Sequence, residues 1–301
     1  MNDIGLLLSV FSAGTVLALA GLGLLINEKA GVINLGAEGM MLCAALAGYA
    51  TAVHTGSVWL GFAAGMAAGA VLAGALGVLV IWFNTNQSAT GLALSLLGAG
   101  LSAFVGVPYT QEALPTRNAA AAGESSLLGQ WLSALHPMVY LSVALAVFLL
   151  WFFDRSRAGL VLRGVGEAPA SAHGLGYPVR RIRLLAVLAG GALCGLAGAY
   201  LSLVYTPQWV EGMVAGKGWI ALALTTFATW RPLRVLLGAW LFGGVTMLQF
   251  WLQSQGVDVP SQLLTMLPYL VIIVVLMLIS RNPTWIRVNR PAALGQPFHP
   301  G

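Results

Sequence analysis

The chain has 301 residues, of which 58% are hydrophobic and 8% are charged, and its formal net charge is +5. Soluble domains carry about 25% charged residues, so this composition excludes a soluble globular protein and indicates a membrane protein. Apolar stretches follow one another along the whole sequence, which leaves no room for a separate soluble domain.

Nine apolar stretches are candidates for membrane-spanning helices. A bilayer core about 30 Å thick needs about 20 helical residues, and eight to ten crossings are compatible with the pattern. The sequence therefore predicts an all-α polytopic membrane protein. The nine stretches are residues 4–26, 37–53, 58–83, 89–107, 138–153, 184–204, 219–230, 235–252 and 263–279.

The stretch 219–230 is too short to cross a bilayer alone. We expect a second short element within 207–217 to complete it as a broken helix, of the kind that lines transport paths. A short tilted helix in a locally thinned bilayer is the alternative.

Small residues in the apolar stretches indicate close helix packing. Gly61, Gly65 and Gly69 recur every four residues, a spacing that lets helix backbones approach each other within the chain or at a dimer interface. Cys43 and Cys194 also lie in apolar stretches and are expected to be packing residues, without a disulfide or metal framework.

Lys and Arg residues are unequally distributed over the connecting segments. If the segment 154–183 is cytoplasmic, twelve of the 14 basic residues lie on that side, and only Arg117 and Lys217 lie outside. By the positive-inside rule, this asymmetry predicts an N-terminus outside and a C-terminus in the cytoplasm. It also requires the stretch 219–230 to cross the membrane.

The sequence predicts one transmembrane domain over residues 1–285. Its main connections are an outer loop at 108–137, rich in turn-forming residues, and a cytoplasmic loop at 154–183. Residues 286–301 contain several prolines and are expected to form a disordered cytoplasmic tail.

The sequence contains no convincing enzyme motif. Residues 212–218 superficially resemble a phosphate-binding loop, but the spacing differs, no hydroxyl residue follows Lys217, and the segment lies on the predicted outer side. The four His residues are scattered, without a metal-binding motif or a pair of carboxylates. We therefore expect no catalytic residue, metal site or cofactor in this chain, and no nucleic-acid partner.

The polar residues within the predicted membrane stretches are mostly uncharged. Ion-driven transporters normally carry acidic or basic relays there, so a neutral lining favours an uncharged polar solute. Glu38 is an acid in the first turn of the predicted helix 37–53, where the helix dipole favours it, and Asn34 could cap that helix; a charge at the inner membrane interface is the alternative. The candidate residues of the translocation path are Asn34, Glu38, Asn86, Gln87, Thr90, Thr225 and Thr226.

The loop 154–183 carries six arginines and, between them, an Ala-rich stretch at 167–173. Glu167 near its start, Pro169 near the first helical position and Gly174 just after its end predict a short helix. A helix of this length is marginal by itself, so we expect it to pack on a partner. Packing on its own membrane domain and on the anionic lipid surface is the alternative.

Several blocks of the sequence resemble one family of transporters. Residues 31–41, Gly-Val-Ile-Asn-Leu-Gly-Ala-Glu-Gly-Met-Met, resemble the signature of ABC-importer permeases in the branched-chain amino acid, monosaccharide and nucleoside group. Residues 163–176 resemble the coupling segment of that family, and 190–199 resemble its next membrane helix. The blocks 86–94 and 205–232 are most similar to the nucleoside branch.

The resemblance implies a type II-like ABC importer permease architecture. In it, this chain pairs with a second permease, expected to be a paralogue, and each permease binds one cytoplasmic ABC ATPase that uses ATP and Mg²⁺. An extracytoplasmic solute-binding protein delivers the solute, and the assembly lies in the plasma (inner) membrane among its lipids.

In such an assembly, the short helix 167–173 would sit in a groove of the ATPase and transmit its movement. Gly166 and Gly174 would let the chain enter and leave this helix sharply. Ala168 departs from the family pattern, which often has Asn or Asp there. The residues expected to couple to the ATPase are Gly166, Glu167, Ala168, Pro169, Ala172, Gly174 and Gly176.

The resulting hypothesis is a permease subunit of an ATP-driven importer that moves nucleosides by alternating access. Arg117 and Lys217 are candidates for docking the solute-binding protein. A permease for simple sugars or branched-chain amino acids in the same family is an alternative, although no buried acid–base pair that would hold a zwitterion is evident. A self-sufficient secondary carrier or channel is the alternative from another class.

Overall fold

The computed structural model describes residues 3–110, 112, 114, 135–255, 260, 263–264, 266–280 and 289–299, and these residues form helices and turns without a strand. The helices are α1 (Asp3–Lys29), α2 (Ala37–Thr55), α3 (Val58–Ile81), α4 (Gln87–Gly106), α5 (Pro137–Arg155), α6 (Arg157–Glu167), α7 (Pro169–Gly174), α8 (Val179–Tyr200), α9 (Lys217–Phe227), α10 (Pro232–Ser254) and α11 (Leu267–Ser280). A 3-10 turn at Val107–Tyr109 extends α4, and a π turn at Leu201–Tyr205 extends α8.

Six of the described helices, with their extensions, are long and apolar enough to cross a membrane. They are Leu7–Lys29, Val58–Ile81, Gln87–Tyr109, Pro137–Arg155, Val179–Tyr205 and Pro232–Ser254. The predicted all-α polytopic membrane protein is thereby confirmed. The predicted crossings 37–53, 219–230 and 263–279 correspond to α2, α9 and α11, which are shorter or less apolar than these six. A total of nine crossings remains a prediction.

Helix α1 lies at the centre of the bundle and packs against α8, α9 and α10. In its apolar stretch 78% of the residues are buried inside the protein, against 28% in that of α4. A Cβ atom at Gly23 would lie 2.5 Å from the Gly190 carbonyl oxygen, so the backbones of α1 and α8 are in direct contact. Because α1 is central, the polar residues Asn27 and Glu28 of its last turn are buried as well.

The glycines of α3 pack against α2 and α8. A Cβ atom at Gly65 would lie 2.6 Å from the Ala199 side chain, and one at Gly69 would clash with the Gly191 carbonyl oxygen. The regular spacing of Gly61, Gly65 and Gly69 therefore serves packing within the chain, which is one of the two alternatives that the sequence leaves open.

One end of the bundle, which we call the coupling end, contains the last residue of α1, the loop 154–183 and the start of α10. Lys29 and Arg231 line one small cavity there, together with residues of that loop. Arg231 thus lies at the same end of the bundle as the loop 154–183. This is the position that the sequence predicts for Arg231 if the stretch 219–230 crosses the membrane. The prediction that this end faces the cytoplasm rests on the charge asymmetry.

The opposite end of the bundle contains the last turns of α2 and α4 and the start of α5. His54 Nε2 and Tyr109 Oη are hydrogen-bonded at 3.0 Å. His136, just before α5, has its ring centroid 5.9 Å from that of Tyr200, and burial lowers the pKa of His136 because the charged imidazole loses hydration. Most of the predicted outer loop 108–137 lies outside the described residues.

The described part of the C-terminal tail, residues 289–299, packs on the coupling end. Ala293 N donates to Gly166 O at 3.0 Å, and Phe298 is buried. The sequence predicts disorder over 286–301, and the structure corrects this prediction for the described residues. Backbone hydrogen bonds and a buried ring here offset the entropy of ordering the chain.

Candidate functional site

Helix α2 begins well inside the bundle. The non-helical segment 30–36 enters from the coupling end, where Ile33 N donates to Gln87 Oε1 at 2.8 Å in the first turn of α4. Further along α4, Ser95 Oγ donates to Leu35 O at 2.7 Å. Leu35 also packs against Gly91 of α4, so at 1.5 Å per residue α2 starts about 6–12 Å beyond the first residue of α4.

Helix α9 is a half-helix that begins inside the bundle and ends at the coupling end. Its first turn packs against the start of α2, where a Cβ atom at Gly218 would lie 2.6 Å from Glu38 N. Residues 206–216 lead into it from the opposite end, with Trp209 packed against Gly106 at the end of α4. The helix is interrupted before α9, as the sequence predicts. The segment before the interruption, residues 206–216, consists of turns and not of a second helix.

Glu38 connects the N-termini of α2 and α9. Its Oε1 accepts a hydrogen bond from Gly216 N and its Oε2 from Gly218 N, both at 2.7 Å. The first N–H groups of a helix have no partner within it, and its N-terminus attracts negative charge. One carboxylate in the first turn of α2 therefore also satisfies the start of α9. Gly216 has φ +81°, the left-handed conformation that lets the chain turn into α9.

The surroundings of Glu38 add a contact that the sequence does not predict. The side chain is half-buried inside the bundle, and each of its carboxylate oxygens accepts a backbone N–H group of another helix start. Its immediate contacts hold α9 in place. We call the meeting point of the first turns of α2 and α9 at Glu38 the junction.

Lys217, the first residue of α9, lies at the junction and is half-buried. Its Nζ donates to Val214 O at 3.2 Å, and its charge interacts with that of Glu38. The sequence predicts Lys217 to be an outer docking charge; the structure places it half-buried at the junction, and its role in docking stays a prediction. The other predicted docking residue, Arg117, lies outside the described residues.

Asn34 and Gln87 shape the entrance of α2. Asn34 is fully buried, and its Oδ1 accepts from Gly36 N at 3.0 Å, which closes a turn before the helix. Gln87 is buried and holds the backbone of Ile33. Because the N-cap residue of α2 is Gly36, Asn34 stabilises the preceding turn and does not cap the helix itself.

Asn86 and Thr90 lie at the start of α4, near the coupling end. Asn86 caps α4, since its Oδ1 accepts from Ala89 N at 3.0 Å. Thr90 Oγ1 donates to Thr85 Oγ1 at 2.9 Å. The structure therefore brings Asn86, Thr90 and Gln87 together at the start of α4, about 7–14 Å before the level of Ser95.

Glu28 is a functional candidate that is missing from the sequence prediction. Its side chain is 3% exposed, and its Oε2 accepts from Thr225 Oγ1 at 2.9 Å and from Trp230 Nε1. The predicted path residue Thr225 thus bonds to a buried acid, and its neighbour Thr226 is half-buried. The polar pair Asn27–Glu28, directly after an apolar stretch, is the sequence signal that could have identified this site.

The backbone is strained where the end of α9 meets Glu28. Thr229 has φ +48° and Trp230 has φ +53°, a region that is unfavourable for residues with a Cβ atom. Such conformations persist where surrounding contacts compensate for them. Here the Trp230 indole bonds to Glu28, and Arg234 Nη1 donates to Thr229 Oγ1 at 2.5 Å.

The coupling segment forms two helices, α6 and α7. Glu167 is the last residue of α6, so the short helix predicted at 167–173 begins at Pro169 and not at Glu167. Ala168 lies between the helices and makes no capping bond with its side chain. Ala172 is buried in a small apolar cluster with residues of α6, α8 and the tail.

The glycines of the coupling segment have different roles from those predicted. A Cβ atom at Gly166 would clash with the Lys29 carbonyl oxygen, so Gly166 permits close contact with α1, and the break between α6 and α7 lies at Ala168. Gly174 has open space around it and a negative φ, and nothing there requires glycine. The left-handed turn after α7 is at Gly176, with φ +86°.

The exposed surface of α7 and of the turn after it consists of small residues, the polar Ser171 and His173, and two larger apolar side chains. We call residues 170–177 the coupling tip. Leu175 is 78% exposed and Tyr177 is 42% exposed. At an end of the bundle that carries the arginines of the loop 154–183, exposed apolar groups indicate a protein-interaction surface.

The fold and the site together define a class of protein. A short half-helix whose N-terminus meets that of another helix inside a membrane bundle is typical of transporters. A family model described as branched-chain amino acid transport system / permease component matches residues 6–278. The chain belongs to this family: it is an ABC-transporter permease subunit, a multi-pass protein of the plasma membrane and not an enzyme.

Curated relatives match along most of the chain. It is 42% identical to a protein of Haloferax volcanii that is provisionally named as a glucose ABC transporter permease, over 98% of this chain and 97% of the relative. It is 29% identical to the guanosine ABC transporter permease NupQ of Bacillus subtilis, over 99% of both chains. It is also 29% identical to the nucleoside ABC transporter permease NupC of Lactococcus lactis, over 88% of both.

Haloferax volcanii and Bacillus subtilis each contribute a second matching permease, named for glucose and for guanosine. No solved structure matches the chain. Membership of this family implies an ATPase and a solute-binding protein as partners.

Proposed function

We propose that this chain is the permease subunit of an importer for a neutral, hydroxyl-rich solute, with nucleosides as the first candidates. The observation that carries the proposal is that both carboxylate oxygens of Glu38 accept backbone N–H groups. The hydrogen bonds of the acid at the junction are thus made with the protein's own backbone. A solute without net charge fits such a lining better than an ion or a zwitterion, which call for opposite fixed charges.

A monosaccharide is the second candidate. The relative with 42% identity along nearly the whole chain is named for glucose, whereas those named for guanosine and nucleosides are 29% identical. Nucleosides and sugars share a ring that carries several hydroxyl groups, so both belong to the proposed solute class.

In this proposal, ATP-driven movement enters at the coupling tip, which docks on the ATPase. Gly166 transmits the movement to the end of α1 through its contact with Lys29. From there Glu28 acts on the end of α9, while the segment 30–36 acts on the start of α2. The starts of α2 and α9 are joined at Glu38. A displacement at the coupling end therefore changes the junction, and access to it alternates between the two sides of the membrane.

We further propose that a second, related permease completes the translocation path. The matching pairs of permeases in Haloferax volcanii and Bacillus subtilis support a heterodimer. A solute-binding protein would dock at the end of the bundle opposite the coupling tip.

Uptake by the complete complex in proteoliposomes tests the transport function. We expect uptake to stop when the phosphate-binding Lys of the partner ATPase is substituted, because the permease has no energy source of its own. Continued uptake by that complex would contradict the proposal and indicate a self-sufficient carrier.

A melting assay of the cognate binding protein tests the solute class. Guanosine, adenosine, glucose, ribose and leucine are compared at equal concentration, and a ligand that binds the folded protein raises its melting temperature. We expect a shift with a nucleoside or a sugar. A shift with leucine alone would exclude the proposed class.

A further inference from the structure

Residues 289–299, which we call the strap, are bound to the coupling segment. Ala293 N donates to Gly166 O at 3.0 Å, and Ala292 N donates to Glu167 Oε2 at 3.1 Å. The ring centroid of Phe298 lies 5.5 Å from that of His173 in α7, in an edge-to-face arrangement.

Phe298 also supports the single buried side chain of α7 among the described residues. Ala172 is the buried residue of this helix, and it shares an apolar cluster with Val165 of α6, Val179 of α8 and Phe298. A helix of six residues does not hold its position through its own backbone bonds. Its position at the coupling end therefore depends on this cluster, in which Phe298 is the largest side chain.

The strap is also bound to the segment 30–36, which leads into α2. Gly295 N donates to Gly31 O at 3.1 Å, and a Cβ atom at Gly295 would lie 2.9 Å from the Ile33 side chain. Arg183, which is 3% exposed, donates from Nη1 to Gln296 O at 3.1 Å. A buried cation needs an acceptor, so this carbonyl oxygen fixes the middle of the strap.

We propose that the strap links the coupling helix α7 directly to the entrance of α2, and that Phe298 is a positioning residue for ATP-driven transport. The inference rests on the proposed role of the coupling tip as the ATPase contact. A movement of α7 then reaches Gly31 and Ile33 through the strap, in parallel with the route through α6 and Lys29. Loss of Phe298 loosens this link and the packing of Ala172, while the exposed Leu175 of the tip is unchanged.

The test is the number of solute molecules taken up per ATP hydrolysed by the complete complex in proteoliposomes. For Phe298→Ala we expect about a tenfold lower ratio, within the range that coupling between sites spans, with assembly and ATP hydrolysis retained. Phe298→Leu, which keeps most of the apolar volume, should restore most of the ratio. Gln296→Ala is the matched control and should keep the wild-type ratio, because Arg183 bonds to the backbone oxygen of that residue and its exposed side chain makes only a 3.4 Å hydrogen bond to Ala292 O within the strap.

A wild-type ratio in Phe298→Ala would overturn the proposal. So would parallel losses of membrane yield, uptake and hydrolysis at an unchanged ratio, since these indicate a role in stability alone. Deletion of residues 289–301 should lower the ratio further if the shortened protein assembles, and an unchanged ratio there also contradicts the proposal.

The proposed role of the coupling tip as the ATPase contact is tested separately, by binding of the ATPase. If the coupling tip is not the ATPase contact, Leu175→Glu leaves the ATPase bound to the permease. If the tip is the contact and only the strap proposal is wrong, Leu175→Glu releases the ATPase while Phe298→Ala keeps the wild-type ratio.

Discussion

Glu28 and Glu38 hold opposite ends of the half-helix α9. Glu38 accepts two backbone N–H groups at its start, and Glu28 accepts the side-chain donors of Thr225 and Trp230 at its end. Both acids flank the short segment that joins α1 to α2. A shift of this segment relative to the bundle therefore acts on both ends of α9 at once, which is a direct mechanical route to the junction.

Replacing Glu38 with Gln is expected to lower both uptake and thermal stability, while the ATPase still binds. The amide group of Gln would turn its NH₂ toward one of two backbone N–H donors, and losing a bond to a buried donor costs about 1–3 kcal/mol. Uptake in proteoliposomes and the melting temperature of the purified complex measure the effect. Glu211→Gln, at an exposed acid before the junction, is the control. Wild-type uptake by Glu38→Gln would contradict a role for the junction.

Substitutions of Glu28 should separate its charge from its hydrogen bonds. Both Thr225 and Trp230 donate to the same oxygen, so Glu28→Gln can keep both bonds. Glu28→Leu leaves the buried Trp230 Nε1 donor unpaired and is expected to cost about 1–3 kcal/mol, whereas Thr225 Oγ1 can still donate to Leu222 O at 2.8 Å. Unfolding of the purified permease in a detergent titration measures the free energy.

A double-mutant cycle with Trp230→Phe provides the control for Glu28. The effect of Glu28→Leu should shrink in the Trp230→Phe background by about 0.5–3 kcal/mol, the usual size of an interaction between contacting residues. Equal losses in Glu28→Gln and Glu28→Leu would show that the charge, and not the bonding to α9, is required.

Two glycines of α6 should respond differently to Ala. At Gly166 a methyl group would clash with the Lys29 carbonyl oxygen, and we expect a cost of about 1–3 kcal/mol together with reduced coupling. At Gly164 the space is open, so Ala should be neutral or stabilise the helix by up to about 1 kcal/mol. Melting temperature and uptake measure both variants. Equal behaviour of the pair would contradict the contact between α6 and α1.

The coupling tip should lose its partner when its apolar surface is charged. Leu175 is 78% exposed, and Leu175→Glu is expected to lower co-purification of the ATPase about tenfold or more, because truncating or charging a central interface residue costs at least about 2 kcal/mol. Leu160→Glu, at a 47% exposed leucine of α6, is the control and should keep the ATPase bound. Retention of the ATPase by Leu175→Glu would contradict the assigned surface.

The long helices were predictable from sequence because each crossing is a local property. A run of about 20 apolar residues must be helical in a bilayer whatever its neighbours are, and the predicted stretches 58–83, 138–153 and 235–252 match α3, α5 and α10 closely. The break before α9 was predictable for the same reason, since too few apolar residues follow the turn-rich segment.

The depth of a residue and its distant partners were not predictable in this way. Lys217 was assigned to the outer side because charge counting gives the side of a connection and not its depth in the bundle. Likewise, the expected disorder of the tail followed from its prolines, whereas the buried Phe298 depends on surfaces contributed by α6, α7 and α8.

The sequence by itself determined that this protein is a helical membrane permease and where most of its helices run, and it predicted which segment couples to a partner. Only the tertiary structure decided that Glu28 and Glu38 bind the two ends of α9, that Gly166 lies against α1 and that the strap joins α7 to α2. The physical reason is the range of the interactions. Hydropathy acts locally along the chain, whereas these contacts pair residues far apart in sequence through the packing of α1 with its neighbours.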